Sequence, residues 1–343
     1  MGETLIADVV IIGSGSAGSV VAARLAADPD CDVIVVEAGG SDRNPLLHVP
    51  LMSGVLLRGR YANWCYETEP VPALGGRRLA WPRGKVVGGS STINGMVWTR
   101  GLPADYDGWA QKGLPDWTAA QVWTAYEALE GIGPGSQPVT DPPPLHPLAE
   151  AFLEAGHQAG FPVSDGFNSP SPEGFGRYQF TIRGGRRASA ARSLLQPMIG
   201  RPNVTLLTRT LAHRIVVEKG RAVAVEVARD GQAMQLRARH QIVLCGGTVN
   251  APQLLMLSGI GPADALRAHG LPVTADLPGV GSNLIDHLLV RVEHACREPV
   301  TLHGLLRPDR TALALIRALL FGTGPAARFP IEAGAYLRSD PAL

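Results

Sequence analysis

The first long apolar run, Asp8-Val-Val-Ile-Ile12, leads into Gly13-Ser-Gly-Ser-Ala-Gly18 and then into Ser19-Val-Val-Ala-Ala-Arg-Leu-Ala-Ala27. A run without alternation suits a strand covered on both faces in a parallel sheet, and Val20, Val21, Ala23 and Leu25 give the next segment an apolar face to lay against it. Asp28-Pro29 stops that helix, and Asp32-Val-Ile-Val-Val-Glu37 predicts a second buried strand, completing a βαβ unit. Periodicity then weakens. Residues 46 to 83 alternate apolar and turn residues without a period, and Tyr61-Ala-Asn-Trp-Cys-Tyr-Glu-Thr-Glu69 reads as an extended excursion over a ligand. Helical patterning returns at Thr118-Ala-Ala-Gln121, a capping box, and at Pro147, which starts a helix that Gly160 ends. Gly131 to Pro144 between them is a Gly/Pro-rich linker, and Ala188 to Leu195 predicts a short helix stopped by Pro197.

From Asn203 the period changes to two. Val204-Thr-Leu-Leu-Thr208, His213-Arg-Ile-Val-Val217 and Ala222-Val-Ala-Val-Glu-Val227 predict an antiparallel meander. Gln241-Ile-Val-Leu-Cys245 predicts another buried strand, followed by Gly246-Gly247 and a helix carrying Pro252 in its first turn. Two passages of strand, glycines and helix, far apart in the chain, predict a discontinuous α/β nucleotide domain with segments inserted between its strands.

The glycines of the first passage have separate tasks. Gly13 permits the tight turn, Gly15 lets backbone approach a diphosphate, and Gly18 lets helix and strand pack closely. Unpaired N–H groups at the helix start form an anion site. Glu37 closes the second strand where a carboxylate accepts hydrogen bonds from a ribose diol and repels a 2′-phosphate, which favours FAD or NAD over NADP.

Composition narrows the function classes. The chain has 343 residues, 45% of them hydrophobic, and a formal net charge of +1. Nucleic acid and anionic lipid are therefore not expected as main partners. Cys31, Cys65, Cys245 and Cys296 show neither CxxC spacing nor a histidine pattern, so no metal site is expected. Met1-Gly-Glu-Thr runs straight into the first strand, and the apolar stretch Thr311 to Phe321 is short and carries Arg317. No signal peptide or transmembrane segment is expected, and the predicted location is cytoplasmic.

A second constellation is far more particular: Gly84-Lys-Val-Val-Gly-Gly-Ser-Ser-Thr-Ile-Asn-Gly-Met-Val-Trp-Thr-Arg-Gly-Leu-Pro-Ala-Asp-Tyr-Asp107. Paired glycines and serines offer bare backbone donors and small hydroxyls to a flat ring and its phosphates, and Asn94 offers a donor and an acceptor to a heteroaromatic edge. This stretch resembles the first signature of the glucose-methanol-choline (GMC) oxidoreductases. Gly247-Thr-Val-Asn-Ala-Pro-Gln-Leu-Leu-Met-Leu-Ser-Gly-Ile-Gly261 resembles their second signature, with Ala251 where a serine or threonine is usual. Pro278-Gly-Val-Gly-Ser-Asn-Leu-Ile-Asp-His287 is a further match.

The resemblance implies a Rossmann-like, discontinuous FAD-binding domain with an antiparallel meander and part of an α+β substrate domain. The expected division is 1–155 and 191–295 for the cofactor domain, 156–190 for a substrate-domain insertion and 296–343 for the start of the substrate domain. It implies Gly13, Ser14, Gly15, Ala17, Gly18, Glu37 and Ala38 on the ADP moiety, with Ala212 meeting the adenine through its backbone. Val86, Gly89, Ser90, Asn94, Gly95, Met96 and Val97 are implied near the flavin. Family members that attach FAD covalently use a histidine just before the asparagine; Ile93 stands here, so noncovalent FAD is expected.

The implied activity is oxidation of a small-molecule alcohol CH–OH group to a carbonyl by hydride transfer to flavin N5, with the electron acceptor left open. In the family the catalytic histidine lies near the C-terminus, in a tract beyond this sequence, so the catalytic residue is left unassigned and a second polypeptide supplying that tract is one expectation. His213 and His240 are expected in solvent, and His287 in a structural bond. The rival readings are a non-catalytic flavin-binding fragment or subunit and a cyanohydrin lyase of the same fold. A plain NAD dehydrogenase leaves the Gly84 to Asp107 stretch without a role.

Overall fold

A computed structural model describes residues 3–340, and the chain divides into two compact units. The first comprises Met1–Asn44, Val55–Asn94 and Ser189–Val292; the second comprises Pro45–Gly54, Gly95–Ala188 and Glu293–Leu343.

The first unit is built on β1 (Thr4–Ile12), α1 (Ser16–Leu25), β2 (Val33–Val36), β3 (Val204–Leu207), β4 (Thr210–Glu218), β5 (Arg221–Arg229), β6 (Gln232–Leu244) and α2 (Gly247–Leu257). One six-stranded sheet runs in the order β3-β2-β1-β6-β5-β4. β3, β2, β1 and β6 pair in parallel, while β6, β5 and β4 pair antiparallel. The unbroken apolar run of β1 has a direct cause. Val10 and Ile12 face one layer with Ile34, Val36, Val225 and Leu236, whereas Val9 and Ile11 face the other with Ala22, Val33, Val35 and Leu195. Each fully buried aliphatic side chain contributes about 1.5–3 kcal/mol.

Four expectations need correction here. Val204–Leu207 does not join the meander; it pairs in parallel with β2 and extends the nucleotide sheet. The meander and the second buried strand are not separate either. β6 is a single 13-residue strand whose first half pairs with β5 and which runs beside β1 from Gln235 to Leu244, so Gln241–Leu244 is its end. Pro252 lies inside α2 rather than in its first turn, because the helix already starts at Gly247. The helix predicted over Ala188 to Leu195 is a wide π turn, Ala191–Leu195, and Pro197 sits in the tight 3-10 turn that follows.

The second unit carries helices Pro103–Gln111, Ala119–Leu129, Pro147–Gln158 and Pro308–Phe321. Strand Gly174–Arg177 pairs antiparallel with Ala333–Tyr336, and Val97–Trp98 with Gln179–Phe180. Small side chains let the last helix pack closely: Ala314 and Ala318 meet Val49, Ala326 and Ala327. The expected 1–155 domain is therefore divided, with residues 95–155 in this unit. The reason is local pairing, since Met96 accepts the Thr181 N–H at 2.9 Å and Thr140 exchanges backbone bonds with Phe180. The capping box at Thr118 is formed as predicted, with Thr118 accepting from the Gln121 N–H and Gln121 reaching back to the Thr118 N–H. Thr118→Ala is expected to lower stability by about 1 kcal/mol in chemical denaturation. Among the described residues no helix is long and apolar enough to cross a membrane.

Candidate functional site

The carboxyl ends of β1, β2 and β6 bring Ile12, Val36 and Leu244 to one groove of about 530 Å³ in the first unit. Ligands of open α/β sheets bind at such an edge. The turn after β1 has no alternative to glycine at two positions. Gly13 has φ +105°, and a Cβ there would stand 2.3 Å from the Cys245 carbonyl oxygen; at Gly18 it would stand 1.8 Å from the Gly13 carbonyl oxygen. Gly15 differs. Its φ of −66° and ψ of −164° suit any residue, and a Cβ would meet only the Gly89 Cα at 3.8 Å. No steric conflict within the protein requires glycine there, so the bare backbone serves what enters the groove.

Gly15 is also the N-cap of α1, which has no side-chain cap and no acidic residue in its first turn. The unpaired N–H groups of that turn thus open on the groove that Gly15, Ser16 and Ala17 line. A second uncapped helix opens on the same space: α2 begins at Gly247 behind the Gly246 N-cap, and Gly246, Gly247, Thr248 and Asn250 line the groove.

Glu37 follows β2 and is 5% exposed. Its Oε2 accepts the Ser14 hydroxyl at 2.6 Å and the Ser14 N–H at 3.2 Å; its Oε1 accepts the Gly39 N–H at 2.8 Å. A carboxylate has about four lone-pair directions, so one remains open, and Glu37 is among the residues that line the groove. Burial pushes the Glu37 pKa above the usual carboxylate value, opposed by the bonds from Ser14 and Gly39 and by the charge of Lys85.

The rim is aromatic and cationic. Trp64 stacks on Tyr66 with centroids 5.7 Å apart, the Lys85 ammonium lies 4.4 Å over Trp64, and the Tyr66 hydroxyl donates to Asn250 Oδ1 at 2.6 Å. Arg83 is the one cation among the groove's lining residues. Its guanidinium lies 4.4 Å over the Trp81 ring, and the Trp81 indole N–H donates to Asp286 Oδ2 at 2.6 Å.

Of the residues expected at the cofactor, Gly13, Gly15, Ala17, Glu37, Ala38, Gly89, Ser90 and Ala212 line the groove. Ser14, Gly18 and Val86 are buried behind it. Asn94 belongs to the first unit and is exposed, whereas Gly95, Met96 and Val97 fall in the second, where Phe329 lies against Gly95 and Met96 is buried with φ +60°. Sequence reading gave no role to Arg83 or Leu211; it placed Trp64 and Tyr66 in an excursion over a ligand and Asn250 in the second signature, without assigning any of the three to the cofactor. Arg83 had a signal in the Pro-Arg-Gly-Lys run; Asn250 had one as the third residue after Gly247.

No histidine is among the groove's residues. His213 and His240 are exposed as expected, His240 lying 3.4 Å from Asp8, and the His287 backbone N–H donates to Asp286. His146 caps the Pro147–Gln158 helix, its Nδ1 accepting the Leu148 N–H. Among the described residues no group of histidines, cysteines and carboxylates is arranged to hold a metal ion.

A family model described as GMC oxidoreductase matches residues 7–289. This chain belongs to the GMC oxidoreductases. The choline dehydrogenase described as oxygen-dependent from Brucella anthropi is 44% identical to it over 342 residues, covering 97% of the chain and 62% of that protein. Its counterpart from Sinorhizobium medicae is 43% identical over 347 residues, covering 98% of the chain and 63% of that protein. The chain thus spans about three-fifths of the length of these relatives. Among solved structures, pyridoxine 4-oxidase from Mesorbium loti matches with a TM-score of 0.75 at 37% identity, over 79% of this chain and 55% of that one. A formate oxidase matches with a TM-score of 0.86 at 25% identity, over 100% of this chain and 64% of that one. Both GMC signatures lie within the matched residues, and each contributes glycines to the groove: Gly84 and Gly89 from the first, Gly247 from the second.

Proposed function

We propose that the groove holds FAD without a covalent link, and that this GMC oxidoreductase takes part in oxidising the CH–OH group of a small alcohol to a carbonyl. The observation that carries the cofactor reading is the convergence of two uncapped helix N-termini, Arg83 and the Glu37 carboxylate on one groove. A diphosphate calls for the donors and the cation; a ribose calls for the carboxylate. Backbone N–H groups at the start of α1, with Arg83, hold the diphosphate, and Glu37 accepts from the ribose hydroxyls. Val36, Leu211 and Leu254 offer an apolar bed to the adenine beside the Ala212 backbone. Val86, Asn94, Gly95, Met96 and Val97 serve the flavin end, as the family pattern implies.

When bound, FAD supplies a ring that accepts a hydride from the carbinol carbon. With no histidine among them, the groove's residues bind and orient. Choline is the substrate we favour, on the 44% identity to a choline dehydrogenase against 37% to a pyridoxine oxidase. Anaerobic addition of choline to the flavin-loaded chain together with the C-terminal tract that the relatives carry tests the reaction: bleaching of the flavin absorbance is the expected result, and bleaching by another alcohol but not by choline would overturn the substrate.

The noncovalent link has its own test. Ile93, 1% exposed, stands where covalent relatives carry a histidine and offers no nucleophile. After acid precipitation the flavin is expected in the supernatant; flavin retained in the protein pellet contradicts this.

A further inference from the structure

Ser14 is wholly buried behind the groove, at the second position of the glycine turn. Its contacts reach three segments. The hydroxyl donates to Glu37 Oε2 at 2.6 Å and stands 3.4 Å from the Gly88 N–H, which also donates to the Ser14 carbonyl oxygen at 3.1 Å. That carbonyl oxygen accepts the Ser19 hydroxyl at 2.8 Å as well. One side chain therefore ties the first glycine turn, the carboxylate after β2 and the Gly88-Gly89 turn together.

We propose that Ser14 is a positioning residue for the cofactor: its hydroxyl aims the Glu37 carboxylate and keeps it an acceptor for the ribose diol. The inference rests on the FAD reading above. Two opposing influences act on Glu37. Burial favours its neutral form, which has one fewer acceptor direction; the bonds from Ser14 and Gly39 favour the anion. The charged group acting on Glu37 is Lys85, whose ammonium is held over Trp64. On the neighbouring β3–β4 turn, the Arg209 guanidinium is engaged by Asp230 at 3.1 Å. An alanine at position 14 removes the shortest of the three bonds. Glu37 then takes up a proton at a higher pH, and the ribose loses its acceptor at that pH.

The test is FAD titration of the flavin-free chain, followed by flavin fluorescence from about pH 5 to about 8, with the unchanged protein and Ser14→Ala. In the unchanged protein affinity is expected to fall on acidification. In Ser14→Ala affinity at the alkaline end is expected to be about tenfold weaker, the loss of one charge-assisted hydrogen bond, and the acid fall is expected to begin at a higher pH. The shift of the pH profile is decisive, since a loss of packing alone lowers affinity equally at every pH. A parallel profile in Ser14→Ala overturns the role assigned to Ser14 and leaves the FAD reading standing. No FAD binding by the unchanged, folded protein at any pH overturns the cofactor reading and this inference with it. Circular dichroism of the flavin-free variant checks that it folds. If Ser14→Ala is unfolded, Ser14→Gly, which also lacks the hydroxyl, takes its place in the same comparison.

Discussion

Gly15→Ala is expected to weaken FAD binding on the order of a hundredfold while leaving the flavin-free fold intact. The two halves of this result come from different parts of the geometry. Position 15 has a backbone conformation open to any residue, and the new Cβ meets a single atom at ordinary contact distance, so the melting temperature without flavin is expected to move by no more than about 2 °C. The new methyl nevertheless stands where backbone must approach a diphosphate. Gly18→Ala gives the opposite pattern. Its Cβ would lie 1.8 Å from the Gly13 carbonyl oxygen and 3.0 Å from the Gly13 carbonyl carbon, backbone atoms that cannot turn aside. That variant is expected to lose about 3–4 kcal/mol and roughly 10 °C in melting temperature. Isothermal titration with FAD and thermal melting of both flavin-free variants separate the two cases. Equal destabilisation of both would show that Gly15 serves the fold rather than the ligand.

Arg187→Met is expected to cost about 2–5 kcal/mol, roughly 1–3 kcal/mol for each buried group it leaves without a donor. Arg187 is 1% exposed; its Nε donates to the Leu47 carbonyl oxygen at 3.0 Å and its Nη2 to the Ser53 hydroxyl at 2.6 Å. These bonds fasten the Pro45–Gly54 segment to the strand that ends at Arg187. Burial pulls the guanidinium's pKa down to about 9, which still leaves it protonated at neutral pH. Methionine fills a similar volume but leaves the Leu47 carbonyl oxygen and the Ser53 hydroxyl without these donors. Thermal unfolding and limited proteolysis check this, with new cleavage expected within residues 45–54. A variant as stable and as protease-resistant as the parent would contradict the anchoring role.

The nucleotide half of the fold is written locally. Asp8 to Glu37 states a strand, a turn, a helix and a strand in consecutive residues, each with its own chemistry, and the two faces of β1 explain its uninterrupted apolar run. β6 was not legible as one strand because Arg237, Arg239 and His240 break its apolar pattern; they are tolerated where Arg239 meets Asp8 and Asp32 at 3.2 and 3.1 Å. The place of β3 depends on pairing with β2, more than 160 positions away, which no local period encodes. The same holds for residues 95–155, where the capped helices after Thr118 and His146 announce themselves but not the core they join, while the Pro103–Gln111 helix, without a side-chain cap, gave no such signal. At the site, the glycines and Glu37 could be read because each answers to one steric or electrostatic need. Ser14 could not be read as a support for Glu37, because the two meet only when the strand ends are brought side by side.

The central claim is that two uncapped helix starts, Arg83 and Glu37 together form an FAD site. Titrating the flavin-free chain with FAD, and repeating the titration in the presence of ADP, tests it most directly. The account predicts saturable binding at about micromolar concentration or tighter, with ADP competing because it occupies the same diphosphate and ribose positions. FAD binding that ADP leaves unchanged, or no binding by a folded chain, would contradict it.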